Sequence, residues 1–434
     1  MLLRGMNGGR GEYAPRLYRS KGYGCEMTMN IAVAQSGGPT CAINASLAGV
    51  YKAGANSEKI DRILGSFNGI EGIIEERFTD LSEKLCDSVN YELLKRTPSA
   101  VLGSCRRKLP DYHENPEMYE QITASLRRND IGMFFYIGGN DSMDTVAKYS
   151  AYLREKNISD IKIIGIPKTI DNDLCETDHS PGFGSAAKYV CSTIQEITRD
   201  SNVYSIPSVT IVEAMGRHAG WLAASSCCIR YNGESAPHLI YLPETTFSIE
   251  KFLADVKKQM KLHKAVIVVV SEGVKTAEGK FAAEEFQSGQ IDSFGHAYLS
   301  GIGKFLEKLV AAEIGCKVRS IELNVMQRCS SHIASQEDIN SAEAIGEAAV
   351  DAALEGKSGC MMTFVRDGSR PYSYHIGTAD AAKAANSEKM FPIEWINAEG
   401  NDVSDEALYY FLPLIQGEVM PIMNNGMPTH LVIE

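Results

Sequence analysis

Apolar, β-branched runs alternate along the chain with segments whose apolar residues recur at helical spacing. The runs predict buried parallel strands and lie at residues 31–34, 133–137, 161–166, 208–212 and 265–270. The segments between them predict helices, and the clearest lie at residues 145–156, 188–198, 249–262 and 342–354. This alternation predicts an α/β fold with a mostly parallel sheet and helices on both faces. Ligands in such a fold bind beyond the carboxyl ends of the strands.

The two ends of the chain do not follow this pattern. Residues 1–28 are rich in Gly, Arg and Tyr and lack the apolar core of a signal peptide, so we expect a loosely packed tail or a start near residue 29. Residues 375–434 contain more Pro, Asn and Tyr and little strand pattern, which predicts a C-terminal extension wrapped on the body. Because 434 residues are too many for one simple core, we expect two α/β domains plus these additions.

Composition and charge argue against several classes of function. Apolar residues make up 44% and charged residues 23%, which is typical of a globular enzyme, and no apolar run is long enough to cross a membrane. The net charge of −12 argues against a nucleic-acid surface but not against an anionic substrate, because a local field can oppose the net charge. The cysteines form no CxxC pair, so we expect reduced thiols and a cytoplasmic protein. The histidine spacing does not indicate a zinc site.

Three of the predicted strands end in polar loops that contain glycine pairs or charged residues. These loops are residues 35–39 (QSGGP), 138–142 (GGNDS) and 167–173 (PKTIDND). Taken singly, they have ordinary interpretations as a tight turn, a capped helix and a surface turn rich in Asp and Asn. At successive strand ends they predict one site, because the carboxyl ends of parallel strands meet at the same edge of a sheet.

The residue types in these loops are those that phosphoryl transfer needs. Paired glycines allow backbone N–H groups to approach a phosphate, and the helix that follows adds a favourable dipole. In the third loop, a cation (Lys168), a hydroxyl (Thr169) and two carboxylates (Asp171 and Asp173) fall within seven residues. A carboxylate can take the proton from an attacking hydroxyl, and cations neutralise phosphate oxygens.

In this order, the three loops resemble the motifs of the 6-phosphofructokinase family. Further matches lie at residues 213–217 (EAMGR), 271–273 (SEG) and 327–328 (QR), so the resemblance covers roughly residues 29–370. It implies the phosphofructokinase fold, which has two Rossmann-like three-layer domains. Residues 29–184 and about 327–374 would bind the phosphoryl donor, and residues 185–326 would bind the sugar phosphate.

The resemblance also implies a reaction and a set of site residues. The reaction is a reversible transfer of a phosphoryl group to the 1-hydroxyl of fructose 6-phosphate, giving fructose 1,6-bisphosphate in glycolysis or gluconeogenesis, with Mg²⁺ as cofactor. Asp171 is then the general base, Thr169 orients the phosphoryl group, and Asp173 supports the base or the metal. The implied acceptor-side residues are Met215, Gly216, Arg217, Glu272 and Arg328, with Arg319 supplied across a subunit interface. The implied donor-side residues are Gly37, Gly38, Gly139, Asp141 and Arg106, with Arg107 as the alternative to Arg106.

Three positions indicate pyrophosphate rather than ATP as the donor. ATP-dependent members of the family carry Gly where this chain has Asp141 and Lys168. The Asp141 carboxylate would fill the space of the nucleotide α-phosphate and repel it by about 3–4 kcal/mol at about 4–5 Å. Lys168, by contrast, can neutralise the compact charge of pyrophosphate. Ile70 lies where bacterial ATP-dependent enzymes stack an aromatic ring on adenine, so we expect no stacking there.

Three further positions depart from the family pattern. Asn140 replaces an Asp that helps to bind Mg²⁺ in most relatives, so the expected metal residues are Asn140 and Asp141, with water and pyrophosphate as the alternative ligands. Val325 and Ser208 replace residues that contact the 6-phosphate in relatives. These two changes leave sedoheptulose 7-phosphate open as an acceptor, and they favour a homodimer over a tetramer.

Other activities stay open as alternatives. An ATP-dependent 6-phosphofructokinase differs only in the donor. A non-catalytic regulatory subunit is disfavoured because Asp171 and Thr169 are present, and a lipid or NAD kinase is disfavoured because such kinases lack the TIDND and MGR motifs.

Overall fold

The computed structural model describes residues 28–284, 301–385 and 387–434, so the tail expected at residues 1–28 lies almost wholly outside the described residues. The described strands are β1 Met29–Gln35, β2 Ile60–Ser66, β3 Phe78–Asp80, β4 Ile131–Gly138, β5 Lys162–Pro167, β6 Ser208–Ala214, β7 Leu239–Tyr241, β8 Ala265–Ser271, β9 Lys317–Glu322, β10 Cys360–Ser369, β11 Tyr372–Asp380, β12 Met423–Asn424 and β13 Met427–Pro428. The described α-helices are α1 Ile43–Asn56, α2 Ile70–Ile74, α3 Leu81–Lys84, α4 Ser88–Arg96, α5 Pro116–Arg128, α6 Asn140–Glu155, α7 Phe183–Ser201, α8 Trp221–Ser225, α9 Ile249–Met260, α10 Ile302–Ile314, α11 Met326–Cys329, α12 Gln336–Leu354, α13 Ala381–Ala384 and α14 Asp405–Phe411.

The larger sheet has seven strands in the order β11-β10-β5-β4-β1-β2-β3. Its inner strands run parallel, whereas β11 and β3 pair antiparallel with their neighbours at the two edges. Helices α1 and α12 cover one face, and α5 and α6 cover the other. The backbones of α1 and α12 lie so close that a Cβ on Gly49 would be 2.0 Å from the carbonyl oxygen of Glu343, so this contact requires glycine.

The smaller sheet has four parallel strands in the order β7-β8-β6-β9. Helices α9 and α10 cover one face, and α7 and α8 cover the other. Both sheets therefore confirm the predicted α/β fold with mostly parallel strands between two helical layers. Throughout the described ranges the cysteines are free thiols. Within the same residues we find no α-helix with the length and apolarity needed to span a bilayer.

The C-terminal residues contribute both a strand and part of the core. The boundary expected at residue 374 falls inside β11, whose side chains alternate between exposed and half-buried positions. An edge strand of this kind has no apolar run, which is why the sequence pattern did not reveal it. Beyond β11, Phe391, Tyr410 and Phe411 pack around Trp221 in the same apolar cluster as α7 and α8.

Candidate active site

A polar cavity of about 460 Å³ lies between the two sheets, at the carboxyl ends of their strands. The loops after β1, β4 and β5 line it from the larger sheet, and the loops after β6 and β8 line it from the smaller sheet. Its cationic lining residues are Arg106, Arg107, Lys108, Lys168, Arg217 and Arg328. Its carboxylates are Asp141, Asp171, Asp173, Glu272 and Glu388. The cavity therefore concentrates cations in a chain whose net charge is −12, which suits a phosphorylated substrate.

The structure brings together nearly all of the residues that the sequence predicts for the site. Every one lines the cavity except Gly216 and Arg319. Gly216 lies just behind the wall, where its N–H donates to the Glu272 carboxylate at 3.4 Å. Arg319 lies on β9 outside the cavity, where its guanidinium donates to Asp200 at 2.7 Å and its side chain is 42% exposed.

The first loop approaches the third loop through its glycine pair. Gly37 has a φ of 75°, and a Cβ on it would lie 3.4 Å from the Lys168 ammonium nitrogen. The Gly37 N–H donates to the Cys105 carbonyl oxygen at 3.0 Å, so it is already engaged within the protein. Gly37 therefore contributes close approach and backbone conformation, not the free N–H group that the glycine pair suggested.

The second loop begins α6. Asp141 lies in the first turn of this helix and forms an ion pair with Lys108 at 3.0 Å, where both side chains are more than half exposed. The Asn140 side-chain amide lies against two backbone carbonyl oxygens, 2.9 Å from that of Ala384 and 3.1 Å from that of Ser387, so it is assigned the orientation in which its nitrogen donates to both. The expected metal residues Asn140 and Asp141 both line the cavity, but both already have protein partners.

The third loop holds three charged residues whose pKa values are changed by burial. Lys168 is 2% exposed, and this burial lowers its pKa to about 8, although Asp171 opposes the change. Burial raises the pKa of Asp171 to about 7; Asp173 adds to the rise, and Lys168 opposes it. Burial also raises the pKa of Asp173. A carboxyl group that titrates near neutral pH can both accept and return a proton there.

The third loop is held in place from behind by a buried network. Asn172 adopts a positive φ of 54°, and its amide donates to the Tyr410 hydroxyl at 3.0 Å while accepting from the Ser180 N–H at 3.1 Å. The Asp171 N–H donates to the Thr169 hydroxyl at 3.1 Å. These bonds fix the backbone between the two aspartates, so their carboxylates face the cavity in a set arrangement.

The acceptor-side loops are linked to each other by side chains that bond to backbone groups. The Met215 N–H donates to the Gln327 amide oxygen at 3.1 Å, which connects the loop after β6 to α11. Gly216 has a φ of 137°, and a Cβ on it would lie 2.6 Å from the Ala219 carbonyl oxygen. Burial raises the pKa of Glu272 to about 8, and the nearby Asp171 adds to the rise.

Two residues that stand where related enzymes carry other residue types lie away from the cavity. Ile70 is fully buried in the apolar core beneath the larger sheet, so its aliphatic character says nothing about stacking on a nucleotide base. Val325 precedes α11 and is 46% exposed. Of the three residues from which the sequence predicted the donor, only Asp141 and Lys168 line the cavity.

Several cavity residues were missed by sequence reasoning. Lys108 directly follows Arg106 and Arg107, the two alternatives that the sequence offered for one role, so this run of three cations was a usable signal. His218 follows Arg217 and pairs with Glu388 at 3.1 Å. Glu388 comes from the C-terminal residues, and no local motif marks it.

Comparisons with known proteins identify the family of the chain. A family model described as Phosphofructokinase matches residues 30–353, and the chain belongs to this family. It is 39% identical over 407 residues to the pyrophosphate–fructose 6-phosphate 1-phosphotransferase of Methylococcus capsulatus, covering 93% of this chain and 96% of that protein. It is 40% identical over 408 residues to the protein of the same name from Xanthomonas campestris, with the same coverage of both chains. The crystal structure of a pyrophosphate-dependent phosphofructokinase from Nitrosospira multiformis superposes with a TM-score of 0.81 at 37% identity, covering 93% of this chain and 96% of that one.

Proposed function

We propose that this protein transfers a phosphoryl group reversibly from pyrophosphate to the 1-hydroxyl of fructose 6-phosphate. The observation that carries the proposal is the presence of both Lys168 and Asp141 in the donor half of a phosphofructokinase-family cavity. In this proposal, the half of the chain that contains the larger sheet binds pyrophosphate, and residues 185–326 bind the sugar phosphate. The two substrates then meet at the strand ends where the halves face each other.

Lys168 and Asp141 act in opposite ways on the two possible donors. The buried Lys168 ammonium interacts strongly with a compact anion, because little water screens it. Asp141 adds a negative charge in the first turn of α6, where a longer nucleotide donor would extend its chain of phosphates. Pyrophosphate ends before that point, so it gains the attraction of Lys168 and meets less of the repulsion of Asp141.

The chemical step uses the third loop. Asp171 accepts the proton of the 1-hydroxyl as the hydroxyl oxygen attacks one phosphorus of pyrophosphate, the bridging P–O bond breaks, and phosphate leaves. A pKa near 7 suits this role, since the base is ionised in the forward direction and protonated in the reverse direction. Thr169 orients the transferring group, and Lys168 and Arg106 neutralise its charge.

Mg²⁺ dependence is part of the proposal. Carboxylate oxygens are suitable ligands for a hard cation, and Asp173 and Asp141 would hold it. Within the part of the chain that the structure describes, no three His, Cys, Asp or Glu side chains are grouped as a metal site, so pyrophosphate and water would supply most ligands. When bound, Mg²⁺ would neutralise the negative charge of the phosphate oxygens.

On the acceptor side, Arg328 is suited to the 6-phosphate because a guanidinium group can make two parallel hydrogen bonds to phosphate oxygens. Glu272 and Arg217 bind the sugar from the other side of the cavity.

Arg319 lies outside its own cavity, so we infer a homodimer in which Arg319 contacts the 6-phosphate bound by a second copy. Mixing Arg319→Ala chains with Asp171→Ala chains tests this, because hybrid dimers would regain one active site whereas independent monomers would regain none.

A coupled assay with pyrophosphate, ATP and polyphosphate as donors tests the reaction, with fructose 6-phosphate and Mg²⁺ held constant. We expect pyrophosphate to be used far faster than ATP, and equal rates would refute the donor assignment.

Sedoheptulose 7-phosphate in place of fructose 6-phosphate tests the acceptor. Asp171→Ala should abolish turnover while calorimetric binding of fructose 6-phosphate persists, and surviving turnover would remove Asp171 from the role of base.

A further inference from the structure

The Asn140 amide connects the donor side of the active site to the C-terminal part of the chain. The end of this amide lies within hydrogen-bond distance of the carbonyl oxygens of Ala384, the last residue of α13, and of Ser387. Carbonyl oxygens only accept hydrogen bonds. These two neighbours therefore assign the amide the orientation in which its nitrogen faces them and donates to both. Ser387 begins a segment, residues 387–391, that we name the C-terminal strap.

The strap touches the reaction centre through backbone bonds. The Lys389 N–H donates to the Asp173 carbonyl oxygen at 2.7 Å, and Glu388 forms a β-bridge with Leu174. The Glu388 side chain lines the cavity and pairs with His218, so one residue contacts both the catalytic loop and the loop after β6.

The far end of the strap is anchored in the core. The Trp221 indole N–H donates to the Lys389 carbonyl oxygen at 2.8 Å. The Phe391 N–H donates to the Glu244 carboxylate at 2.8 Å. The Lys389 ammonium donates to the carbonyl oxygens of Thr177 at 3.1 Å and of Asp178 at 2.6 Å, so it holds the chain that follows the catalytic loop. At the other end of the strap, Asn140 supplies the corresponding anchor through Ser387.

We propose that Asn140 is a positioning residue: it ties the strap to the donor loop and thereby sets the position of Asp173, and it does not act as a metal ligand. This inference rests on the proposed phosphotransferase function. It gives a physical reason for an amide at a position where the family resemblance implies a carboxylate. A carboxylate has no hydrogen to donate, so it would face the two carbonyl oxygens with repulsion in place of two hydrogen bonds.

Asn140→Asp separates the two roles, because an aspartate would be the better Mg²⁺ ligand but cannot hold the strap. We expect kcat to fall at least tenfold while the Mg²⁺ concentration for half-maximal rate and the KM for fructose 6-phosphate stay within twofold. Hydrogen–deuterium exchange of the full-length chain should accelerate at the Lys389 and Phe391 amides. Asn140→Ser keeps one donor and should give an intermediate loss of kcat.

Trp221→Phe is the matched variant. It keeps an aromatic ring but removes the hydrogen bond to the Lys389 carbonyl oxygen, which holds the strap on the side away from the donor loop. It should speed exchange at the same amides and lower kcat without altering the Mg²⁺ requirement. The inference is overturned if Asn140→Asp lowers the Mg²⁺ requirement with kcat maintained, or if strap exchange is unchanged in both variants. The exchange measurement needs no turnover, so it tests the tether even if the proposed reaction fails.

Discussion

The buried Lys168 ammonium donates a hydrogen bond to the Gly38 carbonyl oxygen at 2.6 Å, and this bond joins the third loop of the site to the first. The Lys168 backbone N–H donates to the Gly138 carbonyl oxygen at 3.0 Å, which joins the third loop to the second. One residue therefore connects all three strand-end loops while bringing a cation to the cavity. Gly37, in the left-handed conformation that favours glycine, lies directly beside this ammonium group, since a Cβ on it would be 3.4 Å from the ammonium nitrogen.

Removing the Lys168 charge should impair use of the donor. A cation about 4–5 Å from a phosphate charge contributes about 3–4 kcal/mol at an effective dielectric near 20. We expect Lys168→Met to lower kcat/KM for pyrophosphate by about a hundredfold or more, measured in the coupled assay. Lys188→Met is the control, since Lys188 is also buried but lies outside the cavity and pairs with Glu418. A loss below tenfold for Lys168→Met would contradict this role.

The rate should depend on pH through Asp171. Its pKa is raised to about 7 by burial and by Asp173, so the carboxyl group is protonated below that pH and cannot accept the hydroxyl proton. The forward kcat/KM should therefore fall about tenfold per pH unit below about pH 7, and the reverse reaction, which needs the protonated form, should decline above it. Rate profiles in both directions at saturating Mg²⁺ measure this. An acid limb near pH 4, the ordinary range for aspartate, would show that burial does not control the base.

The donor should change only when two positions change together. Asp141→Gly removes the repulsion of a nucleotide phosphate but leaves the Lys168 ammonium tied to Gly38, so we expect little gain in ATP use. Asp141→Gly combined with Lys168→Gly should admit measurable ATP turnover and reduce turnover of pyrophosphate. Parallel assays of both donors with the single and double variants measure this. ATP use in the Asp141→Gly variant that matched the double variant would show that Lys168 has no part in donor selection.

The Lys108–Asp141 ion pair should matter more for donor capture than for stability. Both side chains are more than half exposed, with side-chain exposures of 68% and 59%. A double-mutant cycle with Lys108→Met and Asp141→Asn should therefore give a coupling in thermal unfolding of less than about 1 kcal/mol. The KM for pyrophosphate should rise a few-fold in Lys108→Met at low salt, and the difference should shrink as ionic strength increases. A salt-independent rise would point to a direct contact with the donor instead of a screened attraction.

The sequence by itself determined the fold class and most of the cavity. Predicted strands at residues 31–34 and 133–137 lie inside β1 and β4, and the predicted helix at residues 342–354 lies inside α12. The polar loops follow the strands directly, so recognising a strand also located the residues at its end. Local periodicity and short motifs carry that information, because both depend on neighbours along the chain.

Tertiary structure alone decided which of these residues already have partners. Asn140 bonds to residues 384 and 387, the Gly37 N–H is taken by Cys105, and Ile70 is turned into the core. Glu388 reaches the cavity from the C-terminal residues, and Arg319 lies outside it in an ion pair with Asp200. Such contacts join positions far apart in the chain, and they form because apolar faces pack and buried polar groups must pair. No pattern along the sequence records which distant carbonyl group an amide will meet.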